Sequence, residues 1–151
     1  MSRAGRPLAA TEGRSRIMRA IRGTGNRSTE LRLARVLRRA RISGWRRHQR
    51  ILGTPDFLWR ANHVALFVDG CFWHGCPRCY RPPARNSAFW RQKIRYNRER
   101  DEVVTRELRR AGWTVLRIWE CQVEHRSTLN RIHAALRDDR VPPLVARNLR
   151  R

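Results

Sequence analysis

Acidic residues are scarce in this chain. Twelve Asp and Glu face 35 Lys and Arg, which leaves a formal net charge of +23 over 151 residues. Lysine is scarcer still, so almost all of the positive charge is arginine. A chain this unbalanced repels itself when compact unless a polyanion binds it. Arginine favours bidentate phosphate contacts and stacking on bases, so nucleic acid is the leading expected partner. A GC-rich genome can raise the arginine count, but it does not create the excess over acids. An anionic membrane surface fits less well, because no long apolar amphipathic helix is present. Long apolar runs are also missing: no segment reaches the ~18 residues of a membrane span. Residues 1–15 are basic and polar with no apolar centre, unlike a signal peptide. The expected compartment is therefore the reducing cytoplasm. Cysteine is sparse too, with four in all, and in that compartment four thiols point to metal before disulfides.

What is present concentrates between Leu66 and Cys79. Leu66, Phe67 and Val68 end a β-like apolar run, and Asp69 follows where a strand delivers a carboxylate to a sheet edge. Cys71, Cys76 and Cys79 come next, with Phe72, Trp73 and His74 among them. The rest of the chain frames this stretch as one domain. Residues 1–14 form a basic arm, 15–138 the folded domain and 139–151 a basic tail. A short helix is expected over 15–21. A second begins at Ser28 or Thr29 and ends near Arg41, with Leu33, Val36, Leu37 and Ala40 as its apolar stripe. Glu30 lies on that stripe, either as a simple first-turn acid or as an acid turned toward an active site. Strands are expected over 45–51, 56–59, 63–68 and 113–119. The longest helical pattern runs over 87–111, with Gly112 as its stop. Asn97 and Asp101 interrupt its stripe of Trp90, Ile94, Val104, Leu108 and Ala111. Unpaired polar groups buried there cost ~1–3 kcal/mol each, so they either satisfy one another and nearby backbone or face a catalytic cleft. Ser127 caps a last helix with Leu129, Ile132 and Leu136 inward. The expected order is α-α-β-β-β-α-β-α, an α/β domain with a mixed sheet flanked by helices.

Cys71, Cys76, Cys79 and Cys121 supply four thiols, a closed tetrahedral set that suits one structural Zn²⁺. His74 could replace one thiol, but four already complete the shell. The metal would staple an aromatic loop to the strand end at Glu120. Thr54-Pro55-Asp56-Phe57, followed by Asp69 after an apolar strand, looks like the Pro-Asp…(Asp/Glu)-x-Lys pattern of restriction-like nucleases. Asp56 and Asp69 can hold Mg²⁺ against a phosphate, since Mg²⁺ takes hard oxygen ligands. The usual Lys is missing, because position 71 is Cys71. His74 is then the candidate general base, since imidazole accepts a proton near neutral pH. Asp101 could orient and stabilise it.

Three blocks together are specific. They are Gly70-Cys71-Phe72-Trp73-His74, the helix from Phe89-Trp90 through Lys93, Ile94, Asn97, Arg100 and Asp101, and Gly112-Trp113 through Trp119-Glu120-Cys121. They resemble the very short patch repair (Vsr) DNA mismatch endonucleases, over roughly residues 14–137. Thr54-Pro55-Asp56-Phe57 and Ser15 through Met18-Arg19-Ala20-Ile21 fit the same pattern. The resemblance implies a restriction-endonuclease-like fold of the PD-(D/E)xK type with a structural zinc. It implies nicking 5′ of the T in a T·G mismatch that arises when 5-methylcytosine deaminates. Asp56 becomes the Mg²⁺ ligand, His74 the base, Asp101 its partner and Glu30 an outer-shell acid. Phe72, Trp73 and Trp90 match intercalating aromatics, Met18 a residue inserted from the opposite groove, and Asn97 a supporting residue. Such wedges cost less at a mismatch, where stacking is already weak.

The chain departs from the best-known pattern in its all-thiol zinc loop. It also has Asp69 where some members have His, which leaves one or two Mg²⁺ ions open. The expected setting is a bacterial cytoplasm, near the nucleoid. The expected partner is double-stranded DNA bearing a T·G mismatch, acted on by a monomer and not at a membrane. A functional link to a cytosine-5 DNA methyltransferase and contact with mismatch-repair proteins go with it. The rival readings are a less selective nickase of a restriction–modification system and a non-catalytic, zinc-stapled DNA-binding protein.

Overall fold

The computed structural model describes residues 29–137. Helix α1 covers 29–39 among them. Strands β1 (Phe57–Trp59) and β2 (Val64–Asp69) follow, then helix α2 (Ser87–Arg110) and strand β3 (Thr114–Trp119). A 3₁₀ turn at Glu120–Gln122 leads into helix α3 (Arg126–Arg137). The helix expected over 15–21, with Met18, lies outside the described residues, as do the arm 1–14 and the tail 139–151.

The strand expected over 45–51 does not form. Only Arg46 bridges a strand residue, exchanging hydrogen bonds with Leu58 at 2.9 and 2.8 Å. Two residues on, His48 takes a φ of 51°, a left-handed conformation that no strand accommodates. The chain turns there, and Arg47 and His48 both reach the Glu30 carboxylate. The last helix also begins two residues early, at Arg126, so Ser127 lies inside it and its Oγ meets His125 Nδ1 at 2.9 Å.

Among the described residues the sheet has three strands, in the order β1-β2-β3. β1 and β2 are antiparallel, with Phe57 opposite Leu66. β2 and β3 are parallel, with Asp69 opposite Trp119. β2 is central and buried along its whole length, which is why it reads as a continuous apolar run rather than an alternation. Strand alternation then sorts the side chains into two layers. Val64, Leu66, Val68 and Ile118 face α1, α3 and the turn before α3, where Leu33, Leu37, Ile132 and Val123 are wholly buried with Phe57. Ala65, Phe67 and Val115 face the other way and pack with Leu58 against Val104 and Leu108 of α2. Each such side chain contributes roughly 1.5–3 kcal/mol on burial, so the two layers hold the sheet between helices.

That parity positions the site. Asp69 shares its face with Ala65 and Phe67, so it points to the α2 side. α2 crosses that side with Leu108 buried near one end and Ile94 near the other. Its polar interruption, Asn97 and Asp101, falls between them. Gly112 stops the helix with a φ of 85°, as a glycine just past a helix end does. Ala111, expected on the inward stripe, is exposed at the cap.

Candidate active site and metal centre

The strand ends and α2 meet at a cleft of about 350 Å³ lined by Asp56, Asp69, His74, Arg100, Asp101 and Arg117 among others. Asp56 precedes β1 by one residue and accepts a hydrogen bond from Val68 N at 2.6 Å. Burial pushes its carboxyl up to about 7, against the pull of that N–H, and the nearby Glu30 and Asp69 push in the same direction. Glu30 is itself buried at the start of α1 and is met by Arg47 and, at 2.8 Å, by His48 Nε2. Arg47 and His48 answer the Glu30 charge, whereas among the described residues no cation meets Asp56, and a hard carboxylate of that kind suits a divalent ion. The chemistry around Asp56 therefore fits Mg²⁺.

His74 sits in the loop after β2, with its Nδ1 2.5 Å from Asp101 Oδ2. Burial raises the Asp101 carboxyl, but the His74 hydrogen bond and the Arg117 charge outweigh it and hold the acid below its usual value. Arg117 reaches in from β3 and grips Asp69 through Nε at 2.8 Å and Nη2 at 2.5 Å. The same Nη2 lies 3.0 Å from Asp101 Oδ1. Beyond His74 the cleft widens into a groove of about 980 Å³ walled by Arg98, Arg106, Arg109 and Arg110.

The four thiols converge. The Sγ atoms of Cys71, Cys76, Cys79 and Cys121 all lie within 4.8 Å of one another, and Cys76 Sγ is 3.9 Å from Cys121 Sγ. Zn–S bonds of ~2.3 Å in a tetrahedron set sulfurs about 3.8 Å apart, so the cluster fits a closed zinc site in both donor type and spacing. Backbone bonds shape the loop: Cys76 N donates to Cys71 O at 2.8 Å and Tyr80 N to Cys76 O at 2.9 Å. Gly75 turns the chain at a φ of 66°, and a Cβ there would come within 2.8 Å of Ile94. Cys121 joins the loop to the end of β3. Beside it Glu120 accepts from Cys71 N at 3.2 Å and from Thr29 Oγ1 at 2.9 Å.

The aromatics of that loop form a half-exposed cluster rather than part of either core. Phe72 is 4.9 Å from the Trp90 ring and 5.3 Å from Trp73, both edge-on. Trp73 lies 5.8 Å from Trp90. Asn97 Nδ2 donates to Trp73 O at 2.8 Å, and Arg98 donates to the carbonyls of His74 and Gly75. The two polar residues of the α2 stripe thus divide: Asn97 is satisfied by the nearby backbone of the aromatic loop, and Asp101 faces the cleft and braces the imidazole.

Asp56, Asp69, His74 and Asp101 share one cleft, with Glu30 behind Asp56. Arg117 was not among the residues expected there. Its signal is weak but present: in β3 it shares a face with Val115 and Trp119, and a charge on a covered strand face calls for a partner. Arg47 and His48 were missed because their contact with Glu30 depends on the turn at His48.

An oriented imidazole, clustered acids and a wall of arginines suit one kind of substrate, a phosphodiester. The class they define is a nucleic-acid hydrolase. Comparison with known proteins makes this specific. The family model described as DNA mismatch endonuclease Vsr matches residues 8–81. The type II nicking enzyme V.NaeI of Lentzea aerocolonigenes is 40% identical over 123 residues, covering 76% of this chain and 71% of that protein. DNA mismatch endonuclease Vsr of Escherichia coli (strain K12) is 37% identical over 118 residues, covering 77% and 74%. The type II nicking enzyme V.NmeDIP of Neisseria meningitidis serogroup C is 35% identical over 131 residues, covering 84% and 88%. The chain belongs to the Vsr family of DNA endonucleases, which are hydrolases. No described helix is long and apolar enough to cross a membrane.

Proposed function

We propose that this protein is a Mg²⁺-dependent endonuclease that nicks one DNA strand 5′ of the T in T·G mismatches left by deamination of 5-methylcytosine. The observation that carries the reading is the His74–Asp101 pair opening onto the cleft of Asp56, in a chain of this family. The mixed sheet with acids at its strand ends supports a restriction-endonuclease-like fold. Mg²⁺ held at Asp56 would supply charge neutralisation at the phosphate, and Glu30 would stand in its outer shell. Asp101 accepts the Nδ1 proton of His74, which leaves Nε2 to take a proton from the attacking water. The Asp101 carboxylate then stabilises the imidazolium. Arginines of the groove bind the backbone. The four thiols would hold Zn²⁺, which would firm the aromatic loop against the end of β3. Phe72, Trp73 and Trp90 then wedge into the base stack, with Met18 opposite. Stacking is weakest at a mismatch, so the wedge itself favours T·G.

In this account a monomer suffices for a single nick, and it acts in the cytoplasm after a cytosine-5 methyltransferase has marked the site. A second reading has its own support: several relatives are named nicking enzymes, which fits a less selective nickase tied to a restriction–modification system. End-labelled T·G duplexes incubated with Mg²⁺ test the proposal. A cut 5′ of the mismatched T, lost in Asp56→Ala and His74→Ala, is expected. Cutting by those variants at the wild-type rate would remove the mechanism.

A further inference from the structure

Arg117 is the charge in the cleft for which the nuclease motif has no place. It stands in register with Phe67 of β2, and its guanidinium lies 4.9 Å from that ring centroid. It holds both oxygens of Asp69 and one oxygen of Asp101. The other Asp101 oxygen belongs to His74 Nδ1. Asp69, His74 and Asp101 alone are a set that could hold a metal ion, since their ligand atoms lie within 4.8 Å of one another. Every carboxylate oxygen of that set already faces Arg117 or His74. A cation entering there must displace a two-pronged guanidinium–carboxylate contact, among the strongest hydrogen-bonded pairs a protein makes. Asp56 differs: it takes one backbone N–H and has Glu30, another acid, as its neighbour. Among the described residues no guanidinium grips Asp56, so a divalent ion has none to displace there, as it would at Asp69.

We infer that Arg117 is a resident cation in the place of a second metal ion, neutralising Asp69 and Asp101 and limiting the nuclease site to one divalent ion at Asp56. The same guanidinium supplies from β3 the positive charge that the motif lacks at Cys71. It is a positioning residue, since it acts through the carboxylate that orients His74. The inference rests on Asp56 as the metal ligand.

Counting bound Mn²⁺ on the zinc-loaded full chain, from the spin-resonance signal of the free ion, tests it. One Mn²⁺ per wild-type chain and per Arg117→Lys chain is expected, and two per Arg117→Met chain. Two ions on the wild type, or one on a folded Arg117→Met chain, would overturn it. Should Arg117→Met fail to fold, Asp69→Asn decides. A single ion retained with affinity within about twofold upholds the inference, and a larger loss overturns it. No ion on the wild type removes the Asp56 reading and the count with it. Two ions remove only the role of Arg117, so the two failures are distinct.

Discussion

Asp56→Asn should make the Mg²⁺-free protein more stable, and only above acid pH. Burial and neighbouring acids raise the Asp56 carboxyl from 3.8 to about 7 in the folded state. Between those values the native protein carries a proton that the unfolded chain has lost. Raising the pH then favours unfolding. Stability from this group is full below about pH 4, falls through the window and reaches its minimum above about pH 7. Three units at ~1.36 kcal/mol each give a ceiling of about 4 kcal/mol at pH 8. Asparagine keeps an acceptor for Val68 N but has no charge to bury, so it escapes the loss. Mg²⁺ should restore the wild type at pH 8 and leave the variant unmoved, because binding to the native state adds stability by mass action. The assay is urea unfolding at pH 5 to 8 in Mg²⁺-free buffer with zinc retained. Parallel pH profiles for the two proteins would refute the reasoning, since the acid would then be either unburied or already paired.

Three more expectations follow from the same geometry. Cys76→Ser should lose most of its zinc by elemental analysis and melt at a lower temperature, because metal binding is coupled to folding; full zinc content with an unchanged melt would remove the structural site. Asp101→Asn should cut single-turnover nicking by ~10²–10⁴-fold while DNA affinity holds, since the loss falls on orientation of the base. Nicking within a few-fold of wild type would exclude His74 as a base held by Asp101. Trp73→Ala should weaken binding to a T·G duplex more than to a matched one, and equal losses would make the ring a packing element only.

Much of this was legible in the residues because local patterns matched tertiary needs. The run from Val64 to Val68 read as a buried strand, and its parity carried Asp69 to the α2 side. Asn97 and Asp101 read as a polar break in an apolar stripe, and that break lines the cleft wall and braces the loop. The four thiols read as one set despite the 41 residues between Cys79 and Cys121, because four thiols in a reducing compartment point to metal before disulfides. What stayed hidden depends on tertiary electrostatics. Residues 45–51 have strand-like content, but His48 turns left-handed and the segment gives Arg47 and His48 to Glu30 instead of a sheet edge. Arg117 is one arginine among many, and only the parallel register of β2 with β3 brings it to Asp69.

The central claim is selectivity for the mismatch, and one comparison tests it most directly. Single-turnover nicking rates are measured with Mg²⁺ on two duplexes that differ only in T·G against T·A, with the 5-methylcytosine context varied in parallel. The account predicts a cut on the T strand alone, 5′ of the mismatched T, and matched duplex left intact over the same interval. Equal rates on the two duplexes would contradict it and leave a general nickase in its place.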